Sequence, residues 1–159
     1  MNRLLPSRPF SPPLRRRGGA VIEFALLLSL MVTMVAGVVE IGRTLWYYDA
    51  LAKATRDAAR SFSISAKATV SSVSVAAAKA IVVSAASSAN VPNFSTSNVN
   101  VVCLDSSTYA DGTCTDGTAP GGVRVEITGY TVGLASVVPG ILAGTSATLS
   151  PHTTMPFMP

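Results

Sequence analysis

Residues 18–43 read GGAVIEFALLLSLMVTMVAGVVEIGR, and this stretch decides the architecture. Between Arg17 and Arg43 the only ionisable groups are Glu23 and Glu40. Roughly 20 apolar residues at about 1.5 Å each span about 30 Å, the thickness of a bilayer's hydrocarbon core. Ahead of it, residues 1–18 form a basic leader with Arg3, Arg8, Arg15, Arg16 and Arg17 and no acidic group. Arginines on that flank stay in the cytoplasm, which puts the chain after Gly42 on the far side. The expectation is a single-pass membrane protein with the lipid bilayer as its first partner.

Working outward from the C-terminal end of this run, Trp46, Tyr47 and Tyr48 stand where an interfacial aromatic belt belongs, which is a plainer role for them than a ligand site. Residues 49–62, DALAKATRDAARSF, contain neither glycine nor proline and are rich in alanine. Asp49 and Lys53 form a favourable i,i+4 pair, and Ala50, Ala54 and Ala58 line one face. One continuous helix is therefore expected from about residue 20 to 62. Residues 75–89, VAAAKAIVVSAASSA, predict a second helix ended by Asn90 and Pro92.

The period then changes. Val99 and Val101 alternate with Asn98 and Asn100, and Val123, Val125 and Ile127 alternate with Arg124, Glu126 and Thr128. Such alternation marks half-buried strands. Residues 145–150 supply a further strand, and the Asp-Gly and Gly-Gly pairs of 105–122 signal turns. The fold class is α+β: a long N-terminal helix over 19–62, then a small domain over 63–159 with a second helix and an antiparallel sheet.

Charge narrows the function classes. Setting the leader aside leaves seven basic against eight acidic residues, so the overall net charge of +4 belongs to the N-terminus. A nucleic-acid partner needs a basic patch on the folded part, and none is present in the sequence. Cys103 and Cys114 lie eleven positions apart in a polar, turn-rich stretch. A disulfide there adds about 3 kcal/mol by chain entropy and requires an oxidising compartment; two free thiols are the alternative.

The chemistry-bearing constellation is Gly18-Gly19-Ala20-Val21-Ile22-Glu23-Phe24, at the mouth of the apolar helix. A carboxylate in such a helix is costly unless it lies near an interface or has a partner. In the first turns it also gains about 0.3–1 kcal/mol from the helix dipole. The arrangement resembles the processing site of type IV prepilins, in which a membrane aspartyl peptidase cuts after the glycine. The resemblance implies cleavage after Gly18, which makes Gly19 the first mature residue and puts Glu23 at mature position five; cutting after Gly19 fits the pattern less well. It also implies that Glu23, with Phe24 beside it, aligns helices by pairing with the α-amine of a neighbouring subunit.

A wider match covers residues 17–60. Arg17-Gly18, Ile22-Glu23-Phe24-Ala25, Glu40-Ile41-Gly42-Arg43 and Ala58-Ala59-Arg60 together resemble the TadE-like family, minor pseudopilins of the tight-adherence (Flp) pilus system. Members often carry a proline in the apolar run where this chain has Ser29-Leu30-Met31, a departure that leaves the helix straighter. The resemblance implies a bacterial inner-membrane protein with a periplasmic domain. Its partners would be the prepilin peptidase, other pilins and pseudopilins, and the inner-membrane assembly platform. Glu40 and Arg43 would lie at the outer membrane face; at i,i+3 they can equally pair with each other.

No enzymatic role, cofactor or metal is expected. His152 stands beside Pro151 at a strand end without a cysteine or carboxylate at ligand spacing. Asp105, Asp111 and Asp116 do not follow the EF-hand order and are expected to be turn residues. Two other classes stay open: a secreted protein cut after Gly37 at Val35-Ala36-Gly37, and an uncleaved single-pass envelope binding protein.

Overall fold

The computed structural model describes residues 18–134 and 144–158. The basic leader, including Arg17, lies outside the described residues. The chain divides into two compact units between Val35 and Ala36.

One helix, α1, runs Gly19–Ser63, one residue beyond the expected bounds at each end. From Gly18 to Val35 nearly every residue is exposed. In the second unit a buried stripe begins at Ala36 and continues through Glu40, Tyr47, Leu51, Ala54, Thr55, Ala58, Ala59 and Phe62. These spacings of three, four and seven keep one face of a 3.6-residue helix inward. Leu51 and Phe62 are fully enclosed, each contributing about 1.5–3 kcal/mol through the apolar surface removed from water. The small side chains between them let other elements approach the backbone closely. On the opposite side Asp49 and Lys53 pair at 2.6 Å in solvent, which adds little to stability.

After α1 a short 3-10 turn, Lys67–Thr69, and a π-type turn, Val70–Ser74, lead into α2, Val75–Ser88. By length and composition Lys67–Ser88 would suffice to cross a membrane. Its Ala78, Val82 and Ala86 are nevertheless buried at i, i+4 and i+8, and it packs on the first strand of the sheet. It ends as the Asn90-x-Pro92 signal foretells. Asn90 takes φ +54°, the Asn90 amide donates to the Ser87 carbonyl and the Val91 amide to that of Ala86. This pair of bonds is the Schellman arrangement that satisfies the last carbonyls of a helix.

The strands are β1 Val99–Leu104, β2 Asp111–Gly112, β3 Gly122–Ile127, β4 Tyr130–Gly133, β5 Ser146–Leu149 and β6 His152–Pro156. Four of them form an antiparallel sheet in the order β2-β1-β3-β6, and β4 pairs with β5. The alternation in β3 has its expected result: Val123, Val125 and Ile127 are enclosed while Arg124 and Glu126 occupy the other face. Val101 and Thr153 flank Val125 in register.

Between Glu126↔His152 and Tyr130↔Leu149 the pairing shifts by one residue, so Thr128 and Gly129 both face Ser150. Gly129 has φ +64°, a left-handed conformation that glycine adopts without a side-chain clash. The β1, β3 and β5 runs were expected; β2, β4 and β6 were not, and His152 opens β6.

Candidate functional site

The α1 segment up to Val35 has two features that bear on function. Its apolar side chains, among them Val21, Ile22, Phe24, Leu26, Leu27, Leu30, Met31 and Met34, are exposed all around the helix, far more apolar surface than a soluble surface carries. Its hydroxyl side chains satisfy themselves. The Ser29 hydroxyl donates to the Leu26 carbonyl at 2.8 Å and the Thr33 hydroxyl to the Ser29 carbonyl at 2.8 Å. In hydrocarbon, where no water can serve as partner, such internal bonding is required. This helix fits a membrane anchor.

The glycine–glutamate motif stands at its start. Gly18 precedes the first helical residue, and its carbonyl accepts the Ile22 amide at 3.3 Å. Gly18 and Gly19 are both exposed, with open space where a side chain would project from either. Glu23 is exposed one turn further on, with Phe24 beside it at 66% exposure. Among the described residues Glu23 has no hydrogen-bond or ion-pair partner, unlike the hydroxyls further along the run.

In the second unit Glu40 is 2% exposed and accepts from the Arg43 guanidinium at 2.9 Å. The i,i+3 spacing predicted this pair. The Arg43 guanidinium also lies 5.9 Å from the centre of the Tyr47 ring, where a cation is attracted by the ring's face. The three consecutive aromatics separate, since successive helical residues point about 100° apart: Tyr47 is buried in the core, while Trp46 and Tyr48 are exposed.

Cys103 and Cys114 are joined by a disulfide, which ties buried β1 to the turn-rich segment following it. Each aspartate of this region has a structural partner. Asp105 accepts from the hydroxyls and amides of Ser107 and Thr108; these bonds, the Ser107 hydroxyl first, hold its carboxyl well below the usual carboxylate range. Asp111 pairs with Arg124, whose other side faces Glu126 at 3.1 Å. Asp116 accepts from the amides of Ser71 and Ser72, a contact across some 45 residues that no local pattern foretells. Among the described residues no group of three or more His, Cys, Asp or Glu side chains converges on a metal-sized site.

No curated protein and no solved structure matches the chain. The segment that begins at the exposed glycine, carries Glu23 and Glu40-Ile41-Gly42-Arg43 and ends at Arg60, residues 18–60, matches the TadE-like protein family.

Proposed function

We propose that the protein is a minor pseudopilin, cut between Gly18 and Gly19 by a prepilin peptidase and used in assembling a Flp/Tad-type pilus for surface attachment. The observation that carries this reading is Glu23. A partnerless carboxylate on an exposed, wholly apolar helix costs free energy in lipid, and an amine freed at Gly19 of a neighbouring subunit would repay it. Phe24 and the surrounding apolar side chains would pack on adjacent pilin helices once the helix leaves the membrane.

In this reading residues 1–18 are a cytoplasmic leader, 19–62 the anchor and its extension, and 63–159 a periplasmic domain. The arginines before Gly18 support that orientation, as does the Cys103–Cys114 bond, which persists in oxidising compartments. Glu40, Arg43, Trp46 and Tyr48 would stand near the outer membrane face, with Tyr47 packed behind them. The partners are the peptidase, other pilins and pseudopilins, the inner-membrane assembly platform and lipid. The protein is the peptidase's substrate and performs no catalysis itself.

Intact mass and N-terminal sequencing of the membrane-extracted protein test the proposal. A mature start at Gly19 is expected. A start at Val38 would replace it with an ordinary secreted protein, and an intact Met1 with an uncleaved envelope anchor.

A further inference from the structure

The junction between α1 and α2 lacks a cap of its own. Thr69, the residue before the π-type turn, makes no side-chain capping bond, and neither does Ser74 before α2. Helix starts leave amides unsatisfied and ordinarily recruit a nearby side chain to accept from them. Here the acceptor comes from a distant part of the chain. One carboxylate oxygen of Asp116 lies 2.6 Å from the Ser71 amide nitrogen and 3.2 Å from that of Ser72.

The next residue grips the same junction from its other side, as the Gly117 amide donates to the Lys67 carbonyl at 2.8 Å. Both groups are presented by one tight turn, closed by the Thr118 amide on the Thr115 carbonyl, with Gly117 at φ +84°. That turn starts one residue after Cys114, and Cys114 is bonded to Cys103, buried in β1.

We propose that the Cys103–Cys114 bond is a redox-sensitive clamp: when closed, it holds the 115–118 turn against residues 67–74 so that Asp116 and Gly117 fix the α1–α2 junction. A dithiol opens it by exchange. The sulfur–sulfur bond accepts two electrons and two protons to become two thiols, and the dithiol closes to its own disulfide. Opening frees the N-terminal side of that turn: the stretch before it keeps the two-residue β2 pairing with Cys103 and Leu104 and the Asp111–Arg124 pair, and the stretch after it keeps the Gly121 amide on the Leu104 carbonyl at 2.8 Å. The ties before the turn are weak alone, so the turn swings away about its Gly121 side and the amides at 71 and 72 lose their acceptor. Oxidation would then complete the fold at the point where the long helix meets the rest of the domain. The inference holds whichever way the N-terminus is processed.

Amide hydrogen exchange of the full chain in detergent micelles tests this, comparing peptides over 65–76 with peptides over β3. In the oxidised protein Asp116→Ala should speed exchange at Ser71 and Ser72 about fivefold. Reduction with dithiothreitol, or the Cys103→Ser/Cys114→Ser double variant, should speed it at least as much while β3 stays protected. In reduced protein Asp116→Ala should add little, because the carboxylate has already departed. The proposal is overturned if reduction leaves residues 67–74 as protected as before, or if β3 loses protection in step with them. Equal effects of Asp116→Ala in the oxidised and reduced forms would also overturn it.

Discussion

The hydroxyls of Thr55 on α1 and Thr153 on β6 lie 3.2 Å apart, across 98 positions of sequence. Thr55 is fully buried, and its hydroxyl also lies 3.0 Å from the Ala52 carbonyl. The geometry suits donation to Ala52 and acceptance from Thr153. It is a polar pin between the inner face of the helix and the last strand. Thr55→Val keeps the shape but strands the Thr153 hydroxyl, so it should destabilise the domain by about 1–2 kcal/mol. Thr55→Val/Thr153→Val should lose less than the sum of the two single variants, as coupled partners do. Guanidinium unfolding of the four proteins in detergent checks this.

Phe62 and Ile64 separate core from surface within two residues. Phe62 is enclosed, and its ring meets Phe157 edge-on with centres 6.4 Å apart. Ile64 is 69% exposed. Phe62→Ala should cost about 3–5 kcal/mol through lost burial and the cavity left behind, and Ile64→Ala should stay within about 0.5 kcal/mol. Comparable losses in the unfolding midpoint would contradict the packing described above.

The glycine–glutamate motif divides into two roles. Gly18→Ala adds a methyl group at the proposed scissile bond, so the leader should be retained while membrane insertion is unchanged. Glu23→Ala removes a costly charge from an apolar helix, so insertion and leader removal should persist while piliation falls. Mass spectrometry of the extracted protein and electron microscopy of the cells read these outcomes. Normal pili on Glu23→Ala cells would rule out the pairing role of the carboxylate.

Acid should loosen the cap on the α1–α2 junction. Hydrogen bonds from the Ser72 hydroxyl, the Ser72 amide and the Ser71 amide hold the Asp116 carboxyl below its ordinary value of 3.8. A lowered carboxylate pKa means the unfolded chain binds the proton more tightly. The contribution to stability is therefore complete above the ordinary value and fades as pH falls through the lowered one. Thermal melts of the parent and Asp116→Asn should accordingly converge as pH drops below about 4. A constant difference down to about pH 2 would contradict the assignment.

How much of this was legible beforehand follows from the range of each interaction. The extent of α1, the second helix with its stop at Asn90, the alternation in β1 and β3 and the Glu40–Arg43 pair all rest on residues a few positions apart, and their spacing alone reports them. The Gly18–Glu23 motif is legible for the same reason. The disulfide joins residues close in sequence, and two cysteines eleven positions apart in a turn-rich stretch are a candidate pair on spacing alone.

Tertiary structure decided the rest. β2 is too short to show a period, β4 alternates over only Tyr130 to Gly133 and is fixed as a strand by its pairing with β5, and β6 is a strand because it lies in register beside β3. Trp46, Tyr47 and Tyr48 are equivalent as letters, but only Tyr47 falls on the stripe that Ala36, Glu40 and Leu51 define. The Thr55–Thr153 pin and the Asp116 cap connect groups 98 and 45 positions apart. A hydroxyl or carboxylate carries no local sign of a partner so distant; only closure of the fold brings the two ends of such a bond together.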